Sequence, residues 1–245
     1  MENPEPYSSI AQAYDYILRH VDYTKWYEYI KEIMHIYCND PVDILELGCG
    51  TGKFGAKFSA DNYKIFGIDI SLPMLMVAKT RAFKNFKIAC CDIRNFYFKK
   101  KFDFIFCVHD TLNYLLEIEE IGQVFRSVKE IMHKNSIFMF DLTTEYNIER
   151  FFENRTTFYK TGSLHIEWNN HYDKKNKIIT SAFKTSKPDG TIEYETHKQK
   201  IYSEEEIKKL LLEEGFNLLA IYSDYTFEPP SETSVMMNFI VEKKS

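Results

Sequence analysis

Four of the chain's 9 glycines fall together, at Gly48, Gly50, Gly52 and Gly55 in VDILELGCGTGKFG. An acid, Glu46, stands just ahead of them. Two more acids follow short apolar runs: Asp69 in GIDIS and Asp92 in CCDI. Glycine lets a backbone come close to a ligand, and carboxylates accept hydrogen bonds. The set suits a ligand rich in donors: an amino group, two ribose hydroxyls and an adenine amine. A P-loop would need G-x-x-x-x-G-K-[ST]. Here Gly48 is one residue too near Gly52, and Phe54 stands where a magnesium-binding hydroxyl belongs. The dinucleotide fingerprint G-x-G-x-x-G does match at 50–55, with Asp69 about 20 residues on. An NAD-binding oxidoreductase is therefore a rival. It lacks an evident hydride-transfer set and leaves Gly48 and Glu46 unused.

The elements that must position these residues alternate. VDILEL (42–47), KIFGID (64–69), FKIACCDI (86–93), FDFIFCVHD (102–110) and SIFMFDL (136–142) read as strands. Between them, 53–60, 72–83 and 117–133 carry helical spacing, and Pro73 lies in a first turn, where proline is tolerated. Strands alternating with helices give a parallel sheet covered on both faces. All three acids then end strands on the carboxyl edge, where open α/β sheets bind ligands. Ahead of the first strand, 7–37 predicts two helices with a break near His20–Asp22. After Arg150 the pattern becomes an antiparallel meander, roughly 155–202, with turns at DKKN and KPDG. A helix follows at 203–216, with Ser203 and Glu206 as a capping box and Gly215 at its exit. Two closing strands end the chain. The expected division is 1–40 as N-terminal cap helices, 41–150 with 203–245 as the α/β core, and 151–202 as an antiparallel β lid insertion.

ILELGCGTG, GIDIS-x-x-ML-x-x-A, CCDI and FDFIFC together resemble the class I S-adenosylmethionine-dependent methyltransferases. The resemblance implies a Rossmann-like, seven-stranded, mostly parallel sheet with an antiparallel closing strand, helices on both faces and a small antiparallel β insertion. It implies S-adenosyl-L-methionine as cofactor. Gly48, Cys49 and Gly50 would follow its methionine and ribose portions, with Glu46 shaping the turn. Asp69 would accept from both ribose hydroxyls, and Ile70 would pack on the adenine. Asp92 would accept from the adenine amine while the Ile93 amide donates to the ring. Met74 would line the adenine pocket or serve as plain core. Val108 and His109 would touch the methionine end. Asp69 also reads as an N-cap for the helix at 72.

YSSIAQAYDYI, VDYTKWYEYI and HDTLNYL are similar to segments of small-molecule methyltransferases, including those that N-methylate amino sugars. That resemblance makes Tyr14 a residue that closes over the sulfonium, Tyr7 part of a cap, and Tyr14 and His109 the catalytic candidates. Trp26 reads as helix core. Asn113 is a polar candidate for the acceptor. Strand alternation puts Ile166, Trp168, Asn170 and Tyr172 on one face of the meander. Trp168 and Tyr172 then either pack a lid sheet on the core or wall a substrate pocket.

Methyl transfer is an in-line displacement, so the protein supplies alignment and water exclusion more than a catalytic triad, and none is evident. The expected activity is methyl transfer to nitrogen or oxygen of a small-molecule acceptor. Alternatives are an RNA methyltransferase or a non-catalytic S-adenosylmethionine-binding protein. The net charge of −5 disfavours nucleic acid as a partner, and the [DN]-P-P-[YF] signature of base-amine methyltransferases is absent. No apolar run approaches a membrane span, and no metal site is expected. Five cysteines without C-x-x-C, Cys90 and Cys91 among them, read as reduced and structural, with that adjacent pair in strand core. The chain is expected to be cytoplasmic and a monomer or homodimer.

Overall fold

The computed structural model describes residues 6–244. Seven strands form the main sheet: β1 (Asp43–Leu47), β2 (Lys64–Asp69), β3 (Phe86–Cys90), β4 (Phe102–Cys107), β5 (Met132–Thr143), β10 (Phe216–Ser223) and β11 (Met236–Lys243). The remaining four form a separate antiparallel sheet: β6 (Thr156–Thr161), β7 (Leu164–Asp173), β8 (Ile178–Ser186) and β9 (Ile192–Lys200). The main sheet runs β10-β11-β5-β4-β1-β2-β3. The β1–β2, β2–β3, β1–β4 and β4–β5 pairs are parallel, and β11 is antiparallel to both its neighbours. The expected fold class is therefore the observed one.

Helices α2 (Tyr23–Tyr37) and α3 (Lys53–Ala60) cover one face. Helices α5 (Ile118–Ile131) and α7 (Glu204–Glu213) cover the other. Strands buried on both faces read as the unbroken apolar runs FIFC (104–107) and IFMF (137–140). Caps fix the helix starts. Asp22 accepts from the Thr24 and Lys25 N–H groups at 3.1 and 2.9 Å, a contact worth about 1 kcal/mol. Ser203 and Glu206 form their predicted box, and Glu117 and Glu120 form a second one before α5.

Two expectations are corrected. The first N-terminal helix is a single turn, α1 (Tyr14–Ile17), preceded by turns. The N–H groups of Tyr7 and Ser9 go to the Glu195 carboxylate rather than into a helical ladder. Cys90 is exposed and Cys91 half-buried, because β3 is an edge strand. No helix among the described residues is long and apolar enough to cross a membrane.

The glycines divide by purpose. Gly48 and Gly50 have φ of 69° and 51°, where a side chain is strained. Gly55 is a close-packing residue: a Cβ there would overlap the buried Phe86 ring. Gly55→Ala should therefore destabilise the fold. Overpacking costs about 1–3 kcal/mol, against about 1 kcal/mol that alanine gains over glycine in a helix. Urea unfolding of Gly55→Ala checks this.

Candidate functional site

The carboxyl ends of β4, β1, β2 and β3, adjacent in the sheet, open into a cleft of about 860 Å³. Between β1 and β4 the chain reverses direction across the sheet, the position where α/β folds form ligand crevices. The structure brings every residue expected at the cofactor to this cleft. Tyr7, Tyr14, Val108 and His109 border one part of it, Glu46, Gly48, Cys49 and Gly50 the glycine turn, and Asp69, Ile70, Met74, Asp92 and Ile93 the rest.

The glycine turn is built around Asp69, whose Oδ2 accepts from the Gly50 N–H at 2.8 Å and whose Oδ1 accepts from the Ser71 N–H at 2.8 Å. The cap of α4 (Leu72–Ala78) is Ser71, not Asp69. Thr111 fills the space beside Gly48 that a Cβ would need. Glu46 is buried, its Oε2 has no hydrogen-bond partner among the described residues, and burial pushes its carboxyl well above the usual range. Such an orphan, beside a glycine-rich turn, fits a ligand amine or hydroxyl. Asp92 is an ion pair rather than a free acid. Arg94 reaches both its oxygens, Nη2 at 2.6 Å, and also meets Glu120 at 2.5 Å. Asp15 ties α1 to the turn by accepting from Thr51 Oγ1 at 2.8 Å and Arg81 Nη2 at 2.5 Å. That places neighbouring Tyr14 over the cleft.

A second cavity of about 380 Å³ lies between the N-terminal segment and the four-stranded sheet. Tyr7, Tyr14, His109, Tyr114 and His197 border both spaces. Trp168 lines the second cavity and stacks on Phe183 at 5.3 Å. Trp26, expected as helix core, also lines it and stacks on Tyr225 at 3.9 Å. Two substrate expectations are corrected, because neither residue borders either space. The Asn113 amide donates to the Lys200 carbonyl at 2.7 Å and accepts from the Thr143 N–H at 3.1 Å, so both its ends tie backbone. Tyr172 packs with Ile148, Ile179 and Ile201 and donates to Glu145 at 2.6 Å.

Residues not anticipated include Asp141, Tyr225, Glu195 and His197. His109 and Asp110 follow β4 with φ of 64° and 50°. The buried Asp141 carboxylate accepts both their N–H groups at 2.7 Å and also the Tyr225 hydroxyl. Burial lowers the His109 imidazole to about 4, helped by His20 and Lys53, so it is neutral at pH 7. On β9, Glu195 and His197 are buried and hydrogen-bonded at 2.8 Å. Glu195 also holds the N-terminal turn at Tyr7 and Ser9. Inward alternation of Glu193, Glu195, His197 and Gln199 was the signal available for these.

Removing the Asp141 carboxylate strands three donors, the N–H groups of His109 and Asp110 and the Tyr225 hydroxyl, at about 1–3 kcal/mol each. Asp141→Ala should therefore lose about 3–9 kcal/mol in equilibrium unfolding. A loss near zero would show that water replaces the carboxylate.

Residues 44–135 match the family described as "Methyltransferase domain". A Geobacillus protein whose name goes no further than a methyltransferase assignment is 27% identical over 97% of this chain and 99% of its own. An S-adenosylmethionine-dependent methyltransferase from Clostridium acetobutylicum superposes with a TM-score of 0.82 at 26% identity, covering 98% of this chain and 99% of that one. A sugar N-methyltransferase from Streptoalloteichus shares the fold, with a TM-score of 0.76 at 13% identity over 95% of this chain and 93% of that one. Residues 44–135 thus carry a methyltransferase domain, and the chain shares its fold with S-adenosylmethionine-dependent methyltransferases.

Proposed function

We propose that the chain transfers a methyl group to nitrogen or oxygen of a small molecule held in the second cavity. The observation that carries this reading is the shared wall: five side chains border both the cleft and a second cavity of metabolite size. A cavity of about 380 Å³ falls in the range of small-ligand sites. The Streptoalloteichus relative, a sugar N-methyltransferase by name, supports an acceptor of this kind.

In this reading Asp69 accepts from the ribose hydroxyls, and Asp92, already paired with Arg94, uses a spare lone pair for the adenine amine. Ile70 and Met74 flank the base, and the Ile93 amide donates to it. The orphaned Glu46 Oε2 and the turn Gly48–Gly50 face the methionine portion, with Val108 at its far end. When bound, the cofactor supplies an electrophilic methyl on a sulfonium. Tyr7, Tyr14 and Tyr114 close the passage to water and align the acceptor, which is the larger part of what a methyl transfer needs. His109, neutral at pH 7, presents a ring nitrogen without competing for a proton. The strands β6–β9 act as a lid over the acceptor.

S-adenosylhomocysteine should bind the wild-type chain in calorimetry. Asp69→Asn should weaken it by about tenfold or more, the worth of one hydrogen bond to a charged group. Binding of NAD with none of S-adenosylhomocysteine would overturn the reading, and an unchanged dissociation constant would remove Asp69 from it.

A further inference from the structure

The second cavity contains a carboxylate that the reading above does not use. Asp110 lines it and is half-buried. Its backbone is fixed on both sides: the N–H donates to Asp141 at 2.7 Å, and the carbonyl accepts from Gln199 Nε2 at 3.4 Å. The left-handed φ of 50° persists because these partners hold it. The facing ionisable groups come from every packed element. His20 and Asp22 lie on the α1–α2 turn, His109 alongside, His197 on β9 and Asp141 on β5 behind. The phenols of Tyr7, Tyr14, Tyr23, Tyr114 and Tyr225 complete the set. Asp22 is spent capping α2. Among the described residues, no lysine or arginine lines the cavity. The remaining wall mixes the rings of Trp26, Phe152, Trp168 and Phe183 with aliphatic side chains and a few neutral polar ones. An acid without a cationic partner, in a cavity that also carries several aromatic rings, is the complement of a small organic cation.

We propose that Asp110 seats the ammonium group of an amine acceptor and takes its proton, directing the methyl group to nitrogen. This rests on the methyltransferase reading of the two spaces. An ammonium has no lone pair, so it must lose a proton before it can attack. The N–H proton moves to an Asp110 carboxylate oxygen. The freed nitrogen lone pair forms the N–C bond to the sulfonium methyl as the C–S bond breaks and its electrons stay on sulfur. The positive charge lost by sulfur appears on the methylated nitrogen, and Asp110 returns its proton to water when the product leaves. Burial, with Asp141 behind it, raises the Asp110 carboxyl to about 7. A proton acceptor works best near the operating pH, so Asp110 is better matched than His109 at about 4.

The chain's two tryptophans, Trp26 and Trp168, both line this cavity, so intrinsic fluorescence reports what binds there. The probes are benzylammonium and its neutral counterpart benzyl alcohol, titrated with S-adenosylhomocysteine present. Benzylammonium should bind the more tightly at pH 8. Its affinity should rise about fivefold or more from about pH 6 to about pH 8, as the carboxyl ionises. Asp110→Asn should cost it about tenfold or more and leave benzyl alcohol unchanged. Equal binding of the two probes, a preference that survives Asp110→Asn, or binding of neither overturns the proposal. If Asp110→Asn does not fold, the wild-type pH series decides alone. Calorimetry with S-adenosylhomocysteine separates the two readings. Cofactor binding without an ammonium preference overturns this inference only, whereas loss of cofactor binding overturns the reading beneath it.

Discussion

The structure depends on one carboxylate that lines neither space but holds the wall between them from behind. Asp141, on the interior strand β5, accepts the N–H groups of His109 and Asp110 and the Tyr225 hydroxyl. Two consecutive non-glycine residues in the left-handed region cost about 1–3 kcal/mol each. Without a buried acceptor, the chain leaving β4 would relax to ordinary turn geometry, and His109 would leave the wall between cleft and cavity. The Trp26 ring on Tyr225 ties the same point to α2. Burial raises Asp141 to about 6 in spite of these bonds, so the clamp is strongest above that pH and weakens as acid protonates it. The sign is that of hydrogen-bond strength only: as a carboxyl with a raised pKa, its ionisation opposes folding.

A second constraint acts across the cleft. The Pro6 carbonyl accepts from Ser71 Oγ at 2.6 Å, and Glu195 holds Tyr7 and Ser9 from the other side. Burial works against the Glu195 carboxylate, but the hydrogen bonds from His197 and Ser9 outweigh it and keep it ionised. The N-terminal turn is thus a strap between the main sheet and the smaller one. The Tyr7 ring packs edge-on against Tyr14 and His197.

Much of the fold was legible because both faces of the parallel sheet are buried, which writes strands as apolar runs and helices as amphipathic ones. Asp69 and Asp92 stood out because acids at the ends of such runs are conspicuous. Asp141 also ends an apolar run, yet nothing local says that it reaches back to residues 109 and 110. Alternation could turn Glu195 inward, but nothing local says that it holds Tyr7 and Ser9 at the other end of the chain. Asn113 misled because an amide reads alike whether it meets a ligand or, as here, two backbone segments. Tyr172 shares the buried face of β7 with Trp168, but it packs behind Ile148 and Ile179, which line the cavity in its place. Cys90 and Cys91 misled because apolar composition does not distinguish an edge strand from a central one.

The smaller sheet shares no backbone ladder with the larger one. Its inner face meets the rest of the chain through side chains, chiefly Ile166 and Phe183 against Ile10, Ala13 and Ile17. Substitutions along β6–β9 can therefore accumulate without disturbing the hydrogen-bond register that shapes the glycine turn. In evolutionary terms the two halves can drift at different rates. One lineage can exchange its acceptor by altering a few inward positions on four strands, while the chemistry at the larger sheet's edge is inherited unchanged.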